Sequence, residues 1–267
     1  MKKLICCLAL FFPTFLFAQE EESDEMVATY DTIAVHDPNA YNIVDMKIRY
    51  LPSGRMYRAG KLLNGKKQGI WRTYFESGQL SRVEEYNLDF YDGLVLIFDE
   101  NGSLLKEQSI KNSKLEGLVH DFYIGGYIKS EENYAAGVLN GWRRAYSVEG
   151  LLSEEGMWRN GKRDSLNRWF YPDGKPFVEY NYVNGVISGI SSQYYESGKI
   201  MSQGNYDDNI ENGTWKDFYE SGKVKAEGTH KSGKKTGTWK LYDESGALQK
   251  TQTWNEGVMV KEVPAKK

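Results

Sequence analysis

Residues 213–246 read GTWKDFYESGKVKAEGTHKSGKKTGTWKLYDESG. Within them, Gly-Thr-Trp-Lys at 213–216 returns at 237–240, and Glu-Ser-Gly at 220–222 returns at 244–246, both after 24 residues. The same interval runs outward through the chain. Gly54, Gly78, Gly102, Gly126, Gly150, Gly174, Gly198, Gly222 and Gly246 follow it with no insertion. Four residues before each glycine stands an aromatic: Tyr50, Tyr74, Phe98, Phe122, Tyr146, Phe170, Tyr194, Phe218 or Tyr242. Two residues after it stands Met56, Leu80, Leu104, Ile128, Leu152, Pro176, Ile200, Val224 or Leu248. A period held this strictly makes each unit one supersecondary element, which buries its apolar surface only by stacking on neighbours.

Each unit reads as two strands and two turns. The first turn is Glu-Ser-Gly, Glu-Asn-Gly or Pro-Asp-Gly, with Pro52 and Pro172 two residues before the glycine, where a type I turn favours proline. The glycine then takes the left-handed conformation of a three-residue hairpin loop with a bulge. That geometry sets the aromatic opposite the apolar residue, a cross-strand pair that stabilises the sheet locally. A second turn is clearest at Asn64-Gly65, Asn160-Gly161 and Asn184-Gly185. After Gly222 the strand alternates, with Val224, Ala226 and Gly228 on one side and Lys225, Glu227 and Thr229 on the other. The fold class is therefore all-β, an elongated antiparallel β-hairpin repeat sheet of nine 24-residue units over residues 45–260. The first unit is degraded as a cap, with Asp45 in place of a second recurring glycine and Lys47 where Trp71, Trp215 and Trp239 stand in other units.

The N-terminus has a different character. Lys2 and Lys3 precede the apolar run Leu4 to Phe17, and Ala18 is followed by Gln19 and acids. This is the layout of a secretory signal over residues 1–18, cut after Ala18. The run is shorter than the ~20 residues of a membrane span, so no transmembrane span is expected in the mature chain. Cys6 and Cys7 both fall inside the signal, which leaves the mature chain without thiol chemistry or cysteine-ligated metal. Residues 19–44 carry Glu20, Glu21, Glu22, Asp24, Glu25, Asp31 and Asp37 with no Lys or Arg, and read as an acidic flexible leader. Residues 261–267 form a tail. The formal net charge of −3 thus leaves a repeat body close to neutral, without the basic face that nucleic acid requires.

The pattern Gly-x-Trp-x-x-Tyr-x-x-x-Gly at Gly69–Gly78 and Gly237–Gly246, with Tyr-x-Asn-Gly at Tyr182–Gly185, resembles the MORN repeat. The 24-residue length and the Glu-Ser-Gly-Lys turn are similar to the bacterial MORN variant of the YwqK-type toxin–antitoxin antitoxin family. The resemblance covers residues 45–260. It implies an extended antiparallel sheet that serves as a protein-binding or lipid-associated scaffold, and the antitoxin label implies neutralising a toxin.

No side-chain set suggests catalysis, a cofactor or a metal. His36, His120 and His230 lie in the leader and in separate units, without metal-ligand spacing. Glu107, Glu131, Glu155, Glu179 and Glu227 recur on one strand face as a solvated polar row, with ~9.6 Å between equivalent strands, too far to share one calcium ion. Trp71, Trp215 and Trp239 suit either packing or sugar stacking. A second aromatic column, Phe75, Tyr123, Tyr171, Tyr195 and Tyr219, directly follows the first and is the candidate partner-binding stripe. The expectation is an exported, non-enzymatic scaffold of the periplasm, cell envelope or exterior that binds another protein. The alternatives are a glycan or cell-wall binding module and an antitoxin-like immunity protein. Terminal strands could also pair edge to edge into dimers.

Overall fold

The computed structural model describes residues 30–36, 42–49 and 53–266. The signal segment and residues 19–29 of the leader lie outside the described residues, as do Tyr50 and Pro52. The described chain forms one antiparallel sheet of twenty-one strands. Val186–Ile187 and Gly189–Tyr194 both pair with Pro176–Val183, so they share one place in the sheet. Each remaining strand pairs with its neighbours in sequence, and the sheet does not close on itself. Sustained packing is confined to such neighbouring strands. No second layer covers either face among the described residues.

The pairing runs past the nine units at both ends. Tyr30–His36, inside the stretch expected as leader, pairs with Asn42–Arg49. Val258–Pro264 carries the last hairpin into the expected tail. The first unit differs as a cap should. Asn42–Arg49 pairs with Tyr30–His36 without the central register shift that interrupts the corresponding pairing of the inner hairpins.

Both turns follow the chemistry of their residues. At Gly78 the Phe75 carbonyl accepts from the glycine N–H at 2.8 Å, and the Phe75 N–H donates to the Gln79 carbonyl at 2.8 Å. Gly78 has φ 93°, the left-handed residue of a three-residue loop with its bulge. Tyr74 therefore faces Leu80, Phe98 faces Leu104 and Tyr242 faces Leu248. The second turn has two consecutive residues at positive φ, such as Asn64 at 50° and Gly65 at 78°, the type I′ form that matches strand twist. Leu88 and Asp89 adopt it too, at 51° and 74°. For leucine this costs roughly 1 kcal/mol or more, so the stacked register overrides local preference. Stacking supplies a bond in return: Asp89 N–H donates to the Lys67 carbonyl at 3.0 Å and Gly161 N–H to that of Leu139 at 2.9 Å.

The core lies away from the Tyr/Phe column, whose described rings are only half-buried. It lies on the opposite face, in a column seventeen residues after each turn glycine, where Trp71, Val95, Val119, Asn167, Ser191 and Trp239 are buried. The tryptophans fit there because a glycine sits against each one. A Cβ on Gly60 would lie 2.2 Å from the Trp71 ring, on Gly204 1.7 Å from Trp215, and on Gly228 2.2 Å from Trp239. Where the column holds Val95 or Val119, the facing residue is Glu84 or Gln108. Large meets absent and small meets large, which keeps a single-layer sheet packed.

Candidate interaction surface

The two faces of the sheet carry different chemistry. On the tryptophan face, rings meet edge to face in an unbroken file: Trp169 to Tyr180 at 5.9 Å, Tyr180 to Tyr206 at 5.8 Å, Tyr206 to Trp215 at 5.8 Å, Trp215 to His230 at 5.3 Å and His230 to Trp239 at 5.1 Å. Arg163 stacks over Trp158 and Trp169, and Lys235 over Trp239 and Trp254. These rings present edges to one another and flanks to cations. They form no flat platform for a sugar, so the Trp71, Trp215 and Trp239 set is packing.

His230 is buried in that file, with Nε2 3.3 Å from Glu211 Oε2. Burial, then the charge of Lys235, holds its imidazole below the usual histidine range. The unfolded chain takes up this proton near pH 6.5 and the folded chain only at lower pH. The associated stability is complete above that point and drains as pH falls through it. Urea midpoints should therefore drop between neutral pH and about 5, and His230→Phe should flatten the slope. An unchanged slope in the variant would remove His230 as the cause.

The opposite face carries the glutamate row, and its solvation is only partial. Glutamates five residues after a turn glycine interleave with cations eighteen residues after one. Arg144 lies 3.9 Å from Glu131 and 3.7 Å from Glu155, and Arg168 3.3 Å from Glu155 and 2.7 Å from Glu179. His120 extends the row between Glu107 and Glu131 at 3.6 and 3.7 Å. Tyrosines of the first aromatic column donate to the same carboxylates, Tyr146 to Glu131 at 2.6 Å and Tyr194 to Glu179 at 2.7 Å. Burial and this bond push the Tyr146 hydroxyl up to about 12. An Arg-bearing strand between successive glutamates leaves no calcium ladder. Among the described residues, no group of three or more His, Cys, Asp or Glu could hold a metal. His36 lies in the first strand, in a separate part of the sheet from the other histidines.

The second aromatic column closes the first turn of each unit, and its hydroxyls are committed inside the chain. Tyr123 donates to the carbonyl of Tyr146 at 2.9 Å, Tyr171 to Tyr194 at 2.8 Å, Tyr195 to Phe218 at 2.7 Å and Tyr219 to Tyr242 at 2.8 Å. Each bond joins one hairpin to the next. Lysines just after the glycine act similarly, with Lys175 Nζ on the Glu196 carbonyl and Lys223 Nζ on that of Ser245. Phe75 occupies the column without a hydroxyl. Asp99 and Asp243 there instead cap their own turns. These side chains work as mortar between units, and their rings are half-buried.

Two other sets of apolar residues are exposed. Sixteen residues after successive turn glycines stand Ile70, Leu94, Leu118, Trp142 and Ile190, all exposed, with Leu166 half-buried. Trp142 lies under Arg144 at 5.5 Å, which places this file on the ladder face. The file ends in Thr214 and Thr238. The second set lies on adjacent turns. Ile124 (76% exposed), Tyr127, Val148 and Leu151 replace the polar residues that flank the glycine in most other turns. The first set was present in the sequence as a column of the 24-residue period, and the turn set as departures from the repeat pattern.

Shallow hollows open near Ile70, of about 310 Å³, and near Thr238, of about 230 Å³. Among the described residues, no helix is long and apolar enough to cross a membrane. A family model described as MORN repeat variant matches residues 67–88, 91–112, 163–184, 188–208, 211–232 and 235–256. No curated protein matches the chain.

Proposed function

Because the chain is a MORN repeat variant protein, we propose that it is an exported, non-enzymatic scaffold that binds another protein through the exposed apolar residues of its turn edge and ladder face. One observation carries this reading. Ile124, Tyr127, Val148 and Leu151 are exposed on two neighbouring turns where the fold demands nothing apolar, since Glu76, Glu220 and Glu244 serve in equivalent turns. Clustered apolar and aromatic side chains at a partner interface act as anchors, and a few carry most of the affinity. Export rests on Lys2, Lys3, the apolar run Leu4 to Phe17 and Ala18. The open sheet supports binding along a length rather than in a pocket.

Affinity capture with the full chain should recover a specific partner from envelope extract. The same capture with Ile124→Glu plus Val148→Glu should lose it, an effect of about 100-fold or more for two central anchors. Equal recovery by the variant would remove the turn patch, and a partner found only in cytosol would remove export. A toxin recovered in this way would identify the immunity role as one case of the same binding.

A further inference from the structure

The ladder of the opposite face changes its charge balance near the C-terminus. Arg144 and Arg168 each stand between two glutamates. Lys216 instead stands between Gln203 and Glu227, and Lys240 between Glu227 and Thr251. Two lysines therefore share one carboxylate, at 3.6 and 3.7 Å. Glu227 is also the acceptor of the Tyr242 hydroxyl at 2.8 Å. This bond first, with both lysines, holds its carboxyl below the ordinary range, so the group is ionised and the cluster keeps one surplus positive charge.

Beside this surplus the surface is hollow. A depression of about 230 Å³ is lined by Thr214, Thr229 and Thr238 together with Lys216, Glu227 and Lys240, with Trp215 and Gly228 between them. Two of its threonines, Thr214 and Thr238, stand at the position that the apolar file occupies in earlier units. Thr214 and Thr229 are direct cross-strand partners, and all three threonines are exposed.

We propose that this hollow is a binding site for one residue of an acidic sugar, a hexuronate in which a carboxylate and ring hydroxyls lie within one pyranose. The two ammonium groups provide donors for the carboxylate. A bare sulfate or phosphate would meet Glu227 on the same wall and be repelled. A hydroxylated ring turns that carboxylate to advantage, because Glu227 is acceptor-only and sugar hydroxyls donate to it. The threonine hydroxyls, able to donate or accept, complete the wall. The site is open and single, so affinity belongs in the range of ~1 mM for an isolated monosaccharide and rises when linked residues engage neighbouring strands. It is separate from the Ile124–Leu151 edge, and either stands if the other fails.

The test uses the full chain, with amide shifts followed by NMR on addition of glucuronate, glucose or sulfate. Glucuronate should perturb residues 214–216, 227–229 and 238–240, while glucose and sulfate perturb them at least tenfold more weakly. Lys216→Gln with Lys240→Gln, both exposed changes, should weaken glucuronate at least tenfold with the circular dichroism spectrum unchanged. Glu227→Gln separates the sugar acid from a plain anion. It should weaken glucuronate and strengthen sulfate. Sulfate perturbing the wild type as strongly as glucuronate, glucose binding equally, a Glu227→Gln variant that binds both better, or no perturbation at all would overturn the proposal.

Discussion

Trp239→Ala is expected to destabilise the C-terminal repeats by about 3–5 kcal/mol, the range for truncating a fully buried tryptophan. Trp239 is 1% exposed, its Nε1 donates to the Thr229 carbonyl at 3.2 Å, and Lys235 Nζ lies 3.9 Å over its ring. Truncation leaves Gly228 uncovered on one side and His230 without one of its two aromatic neighbours. Because each hairpin packs only on its neighbours, the loss should stay local. Hydrogen exchange should accelerate in Ile210–Phe218, Val224–Lys231 and Lys234–Tyr242, with protection retained around Val95 and Val119. Gly228→Ala with Trp239 retained should cost on a similar scale, since its Cβ has no room. The double change Gly228→Gln with Trp239→Val imitates Gln108 and Val119, which face each other at the same places two units from the first tryptophan. It should recover much of the loss, because the pair rather than either residue is what packs. Additive losses in the double variant would refute that coupling, and protection lost along the whole sheet would refute the nearest-neighbour picture.

That pair shows how far the sequence could be read. The strict columns were legible because backbone geometry imposes them on every unit. A turn glycine at φ near 90° admits no common substitute, and the aromatic before it must meet the apolar residue after it. The tryptophans looked irregular only when each column was read alone. Trp71, Trp215 and Trp239 occur where Gly60, Gly204 and Gly228 stand eleven residues earlier, and the pairing of columns carries the information.

The second recurring glycine was legible as a column but not in its purpose. It sits in a bulge where the facing strand is short by two residues, as between Glu84 and Tyr86 opposite Tyr91 to Val95. The neighbouring side chain folds over it. A Cβ on Gly93 would lie 2.0 Å from Glu85 Oε2, and on Gly141 2.9 Å from the Asn133 Cβ. Ser165 keeps the same bulge at φ 56°, so glycine there is the easiest choice rather than an absolute need. The candidate stripe carries a structural role that the sequence did not display, for a related reason. Tyr123, Tyr171, Tyr195 and Tyr219 looked free because strand alternation gives direction but not reach. A tyrosine hydroxyl extends far enough to meet the next hairpin's backbone, and there it finds an acceptor. The turn residues proposed to meet a partner, Ile124, Tyr127, Val148 and Leu151, are ones that vary between units.

The strongest such variation inside the sheet lies near the N-terminal end, where Arg58→Met should cost about 3–5 kcal/mol, the range for breaking a buried charge pair. Glu84 is 2% exposed and accepts from Arg58 Nη2 at 2.6 Å and from the Tyr91 and Tyr86 hydroxyls at 2.9 and 3.3 Å, with Arg82 Nε 3.0 Å away. Burial works against the Arg58 charge, but Glu84 with Tyr86 and Tyr91 together outweigh it and hold the guanidinium above its usual range. Burial, then the bond to Tyr91, pushes the Tyr86 hydroxyl well above the phenol range. Removing Arg58 leaves a desolvated carboxylate with one cation and two hydroxyls. The cost should fall toward the lower end of the range because Arg82 and Tyr91 stay. Replacing Glu84 as well, as Arg58→Met with Glu84→Gln, puts a neutral amide where Gln108 stands in the next unit and should leave a deficit of only ~1 kcal/mol. Denaturant midpoints for the two single variants and the double variant decide it. A double variant no more stable than Arg58→Met alone would mean that the guanidinium acts through packing on Trp71, 5.4 Å away, and not through the charge of Glu84. If the cycle closes as expected, the sheet sustains a buried ion pair without a second layer, and the ring of Tyr86 at 4% exposure keeps the water out.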